Sequence, residues 1–118
     1  MRAQKRIAVV VPAWNEERLI GRVLGRIPSF VDVVVVVDDA STDSTSECAA
    51  QAGDARVVVL RHSRNHGVGA AIVSGVRYAF GAGADIAAVM AGDDQMDPSD
   101  LASVIEPIVS GRDRKSGV

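Results

Sequence analysis

Three short stretches hold most of the side chains that can do chemistry. Pro12-Ala13-Trp14-Asn15-Glu16-Glu17 places the only tryptophan beside carboxylates. Asp38-Asp39-Ala40-Ser41-Thr42-Asp43 and Ala91-Gly92-Asp93-Asp94-Gln95-Met96-Asp97 are acidic loops. Carboxylates repel a phosphate unless a cation intervenes, and Mg2+ or Mn2+, with its preference for oxygen ligands, bridges a carboxylate to a diphosphate. Asp93, Asp94, Gln95 and Asp97 carry enough oxygens for such an ion. The competing reading is a cap for the next helix, which Asp97-Pro98 suits. Asp39 could accept from base N–H groups or ribose hydroxyls, or close an Asx-type turn with Ser41 or Thr42. Trp14 could stack on a base or sugar face, or pack against the helix that follows it. A single acidic loop is usually a turn or a cap. Three polar loops on one rim favour a site.

The elements around these loops decide whether they share a rim. Ile7–Val11, Val33–Val37, Val57–Leu60 and Ile86–Met90 are continuous apolar runs, as strands covered on both faces are. Between them the spacing turns helical. Leu19, Ile20, Val23, Leu24 and Ile27 form an apolar stripe, with Glu16 and Glu17 at its positive end and Pro28 as its stop. A short helix from Ser44 to about Ala52 ends at Gly53. Asn65–Gly69 turns into a helix reaching about Phe80, ended by Gly81 and Gly83. Leu101, Val104, Ile105 and Ile108 predict a last helix, kinked or cut short at Pro107. Alternating strands and helices predict an α/β fold. It is a three-layer sandwich with a mainly parallel sheet and right-handed crossovers. Ligands of such sheets bind beyond the C-terminal ends of the strands, where the three polar stretches fall.

Composition narrows the function. A chain of 118 residues accommodates one domain. We expect residues 1–110 to form it and 111–118, which lack apolar periodicity, to be a disordered tail. The net charge of −2 lacks the basic excess of a nucleic-acid binder. Cys48 is the only cysteine, so no internal disulfide can form and a reducing, cytoplasmic setting is expected. No apolar run approaches the ~20 residues of a membrane span. Ile7–Val11 stops at Pro12 before charged residues, so it reads as a strand rather than a signal sequence.

Four stretches resemble the motifs of family 2 glycosyltransferases, including the dolichyl-phosphate mannose synthase-like branch. They are Val10–Glu17, Val37–Thr45, Asn65–Ala71 with Gly75 and Ala79, and Met90–Pro98, in family order and covering nearly the whole chain. The resemblance implies the nucleotide-sugar-binding half of a GT-A fold, truncated, with strand order 3-2-1-4. It implies that Pro12, Trp14, Glu16, Val37, Asp39 and Asp93 bind the nucleotide sugar. Asp93 would ligate Mg2+ or Mn2+, with Gln95 and Asp94 beside it. The activity implied is metal-dependent, inverting transfer of a sugar from a UDP- or GDP-sugar to an acceptor hydroxyl. The acceptor would be a lipid phosphate or a glycan, met at the cytoplasmic face of a membrane by a full-length form. The catalytic residue is not identified.

Two departures stand out. Ala91 replaces the first aspartate of the usual metal motif, and Met96 stands where a histidine is common. Elements that bind acceptor and supply the base would come later in the family. The alternative is therefore an inactive fragment that binds nucleotide weakly, with strand four left at a sheet edge and self-association expected. A receiver-like signalling domain fits less well, because its acidic pair follows strand one and here the pair follows strand two. A dinucleotide-binding fold needs a glycine-rich first turn, which Pro12–Glu17 lacks.

Overall fold

The computed structural model describes residues 5–52 and 54–90. The expected metal stretch Asp93–Asp97, the last helix and the tail lie outside the described residues.

Among the described residues four strands and three helices alternate: β1 (Ile7–Ala13), α1 (Ile20–Gly25), β2 (Val33–Asp38), α2 (Thr45–Ala50), β3 (Val57–Arg61), α3 (Val68–Gly81) and β4 (Ile86–Val89). All strand pairs are parallel and their order is β3-β2-β1-β4. The apolar runs form strands because both faces are covered. Val9, Val11, Val34 and Val36 pack against Ile20, Val23 and Leu24 of α1 and Ala49 of α2. Ala8, Val10, Val35 and Val37 face α3 on the other side through Ala71 and Ala79. The β2 run is buried at every position from Val33 to Asp38.

β1 extends past the expected stop, with Pro12 opposite Val37 and Ala13 opposite Asp38. Val10 accepts a hydrogen bond from Met90 on the β4 side, and Ala13 accepts one from Asp39 on the β2 side. By this alternation Pro12 points its ring nitrogen to the β4 side, beyond the last β1–β4 pair, Val10 with Val89. Its missing N–H falls where the β1–β4 ladder stops, and the β2 side of β1 keeps its bonds. Helix α1 is shorter than the apolar stripe suggests. Its final turn tightens, with Arg26 donating to Val23 and Ile27 to Leu24.

Among the described residues strand four lies at a sheet edge. Its faces are not bare, however: Ala87 and Ala88 are fully buried. Tyr78 is exposed on α3.

At the opposite pole, Arg56 holds the end of the α1–β2 connection. Its Nη1 donates to the carbonyls of Pro28 (2.8 Å) and Val31 (3.0 Å), while Nε and Nη2 grip Asp54 at 3.0 and 2.7 Å. The Arg56 side-chain and backbone N–H groups hold the Asp54 carboxyl at about 2, against an ordinary 3.8. That contributes about 1–2 kcal/mol, since each side chain is about a quarter exposed and screened by water. A depressed carboxyl stabilises the fold above its unfolded value and loses this as pH falls towards the folded one. Urea unfolding of wild type and Asp54→Asn should differ by about 1–2 kcal/mol at pH 6, and the gap should close between pH 5 and 2. A gap independent of pH would show that the pair contributes nothing.

Candidate functional site

The loops after β1 and β2 are fastened together by side chains of each bonding the backbone of the other. Ser41 Oγ accepts from Asn15 N–H (2.8 Å), and Asn15 Oδ1 accepts from Thr42 N–H (2.8 Å). Thr45 Oγ1 accepts from Glu16 N–H (2.9 Å), and Glu17 Oε1 accepts from Ser44 N–H (3.1 Å). Asp43 Oδ1 accepts from the N–H of Thr45, the first residue of α2, at 3.0 Å, and its Oδ2 receives Glu17 N–H at 3.3 Å. These side chains satisfy backbone donors that tight loops and helix starts would otherwise leave orphaned. The geometry takes Asn15 (φ 53) and Ala40 (φ 64) into the left-handed region. Asparagine tolerates this, whereas for alanine it is a strain held by the surrounding bonds.

The adjacent aspartates do different work. Asp38 is fully buried. Its Oδ1 accepts from Ser41 N–H, three residues on, at 2.9 Å. Its Oδ2 accepts from Ser46 Oγ and from Arg61 Nη1 (3.0 Å). Arg61 stands directly across from Asp38 in the β2–β3 register. Its other nitrogen donates to the Ser41 carbonyl at 2.8 Å, so this arginine braces the loop.

Asp39 turns towards the connection after β3. Oδ1 accepts from His62 Nδ1 (2.8 Å) and His66 N–H (2.9 Å), and Oδ2 accepts from Gly67 N–H (2.7 Å). Burial pushes this carboxyl up, but the three donors outweigh it and hold the group below its ordinary 3.8. Gly67 receives this contact at φ 94, ψ 163, a backbone state that favours glycine. His62 is tied in turn to Ser74 Oγ on α3, 2.9 Å from Nε2.

Trp14 is half exposed, so its ring face is not used up by packing on α1. Glu16 is partly exposed beside it. Pro12 and Val37 are buried, and Val37 lies against α3. A cavity of about 480 Å³ adjoins the fastened loops, lined by residues including Asn15, Glu16, Arg22 and Asp43. Among the described residues no three His, Cys, Asp or Glu side chains gather to hold a metal. Asp93, Asp94 and Gln95 are outside them. Among the described residues no helix is long and apolar enough to cross a membrane.

The structure thus brings Trp14, Glu16 and Asp39 to the rim. It adds Asn15, Arg61, His62 and Ser74, whose parts the sequence reading missed. For His62 a signal existed. In order 3-2-1-4 strands two and three are neighbours, and an acid and a histidine just past their ends fall side by side.

The family model for Glycosyl transferase family 2 matches residues 8–114. The UDP-N-acetylglucosamine–dolichyl-phosphate N-acetylglucosaminyltransferase of Methanococcus voltae is 32% identical over 92% of this chain and 49% of that relative. A mannosyltransferase from Pyrobaculum calidifontis, solved with GDP-Man and Mn2+, superposes with a TM-score of 0.73 at 24% identity. The match covers 92% of this chain and 33% of that one. Glucosyl-3-phosphoglycerate synthase from Mycobacterium tuberculosis, with Mn2+, UDP-Glc and phosphoglyceric acid, gives a TM-score of 0.68 at 28% identity, covering 91% and 40%. The chain therefore spans about half the length of the first relative and less of the two structures.

Proposed function

Because the chain belongs to glycosyl transferase family 2, we propose that it supplies the donor-nucleotide site of a glycosyltransferase. The whole activity is transfer of a sugar from a nucleoside diphosphate sugar to a lipid phosphate. The bond between the anomeric carbon and the diphosphate breaks, the nucleoside diphosphate leaves, and an acceptor oxygen bonds that carbon from the opposite face. The carrying observation is the rim itself. An exposed Trp14 and an ionised, hydrogen-bonded Asp39 stand on two interlocked loops, next to the point where strand order reverses between β1 and β4. Trp14 presents a face for the base or sugar, and Asp39 accepts from the nucleoside. The lipid-phosphate acceptor is supported by the name of the Methanococcus relative.

A divalent cation belongs to this reading through Asp93, with Asp94 and Gln95 beside it. It would neutralise charge on the departing diphosphate. Support comes from the Mn2+ in both structures named above.

Calorimetric titration with nucleoside diphosphate tests the site. Asp39→Ala should weaken binding by about 1.5–3 kcal/mol with or without Mn2+, the value of a hydrogen bond to a charged group. Asp93→Ala should remove only the Mn2+-dependent part. Unchanged affinity in Asp39→Ala would reject the nucleoside contact. Unchanged Mn2+ dependence in Asp93→Ala would reject the metal assignment.

A further inference from the structure

Most of the hydrogen-bonding capacity of Asp39 is already filled. A carboxylate offers about four acceptor positions, two on each oxygen. Both positions on Oδ1 are taken, by His62 Nδ1 and the His66 amide, and one on Oδ2 is taken by the Gly67 amide. Among the described residues this leaves one position, on Oδ2. The occupants are well held. Ser74 Oγ anchors the far side of the His62 ring, and the His66 ring meets it edge-on with centroids 5.3 Å apart. His62 is 17% exposed, and the two amides belong to the turn that starts α3.

The number of free acceptor positions bears on which base can be read. Uracil has one ring N–H, at N3, between two carbonyl groups, and asks one acceptor of a carboxylate. Guanine offers N1–H and an amino group side by side, a pair that a carboxylate matches with both oxygens at once. With Oδ1 occupied, Asp39 cannot make that paired contact.

Resting on the reading that Asp39 contacts the base, we propose that the donor is a uridine diphosphate sugar and that His62 is a specificity-determining residue. His62 acts by filling Oδ1. In this arrangement its Nδ1 carries the proton given to Asp39, and its Nε2 is tied to the Ser74 hydroxyl.

The test titrates the chain with UDP and GDP, each with Mn2+. UDP should bind about tenfold more tightly or better, as expected where a site leaves a competitor's donor unpaired. His62→Leu frees Oδ1 and should bring the two affinities within about threefold. His62→Asn can return an N–H to the Nδ1 position and should keep the preference for UDP. The wild-type ratio stands as a test even if His62→Leu fails to fold. Equal or tighter binding of GDP by wild type, with Asp39→Ala weakening both nucleotides, overturns the uridine proposal and leaves the base contact standing. Loss of the UDP preference in His62→Asn as complete as in His62→Leu overturns the role of His62. If Asp39→Ala binds UDP as wild type does, or wild type binds neither nucleotide, the base contact itself fails and the proposal with it.

Discussion

Asp38→Ala is expected to destabilise the chain by about 3–5 kcal/mol, the usual cost of breaking a buried charge pair. The carboxylate is fully buried and gathers the Ser41 amide, the Ser46 hydroxyl and the Arg61 guanidinium. Removing it orphans the Ser41 N–H inside the loop and leaves Arg61 without its acid. Arg61 is 49% exposed and can turn to water, which places the loss towards the lower end. Even so, the loss is a large part of the ~5–15 kcal/mol that holds a typical domain together. Because Ser41 also receives the Asn15 amide, the damage should spread to the loop that carries Trp14. Urea unfolding measures the effect, with Asp38→Asn retaining size and one acceptor and falling between wild type and alanine. A loss under about 1 kcal/mol would mean that the carboxylate is not the anchor of this loop.

Gly75→Leu is expected to abolish cooperative unfolding, and Gly75→Ala to cost about 2 kcal/mol. Helix α3 lies on the sheet through a stripe of small residues, Ala71, Gly75 and Ala79, all buried. A Cβ at Gly75 would overlap Val10 and stand 3.1 Å from Val37 Cγ2. Both valines lie in the two middle strands, β1 and β2, so neither can yield without moving the sheet. Alanine's helix preference returns up to ~1 kcal/mol, which is why the smaller substitution is survivable. Thermal melts followed by circular dichroism decide the matter. An unchanged melting temperature for Gly75→Ala would show that α3 can lift off the sheet freely. His62 reaches Ser74 on this helix, so lifting α3 should also loosen Asp39 and weaken nucleotide binding.

Much of this was legible in the residue order. Continuous β-branched runs such as Val33–Val37 can be buried on both faces only in the middle of a layered fold, and the helical spacing between them calls for crossovers. Pattern alone therefore leads to parallel strands and to a rim that collects the loops after Val11 and Val37. The motifs at Val10–Glu17 and Val37–Thr45 carried the family and, with it, the strand order. Strand ends were less legible, because they depend on partners. Pro12 stays in β1 through its pairing with Val37, at the point where the β1–β4 ladder stops.

The division of labour between Asp38 and Asp39 was decided by tertiary structure alone. Two identical side chains in succession point to opposite sides of a strand end, so one meets Arg61 and Ser46 and the other meets His62, His66 and Gly67. Those partners lie 8 to 28 residues away in the chain, and no local propensity encodes them. They become neighbours through the register that sets Asp38 opposite Arg61. The sequence by itself determined which loops would meet and which chemical types they would carry. Only the packed sheet decided which carboxylate braces its own loop and which clasps the turn into α3, because that choice rests on donors that long-range pairing brings within 3 Å.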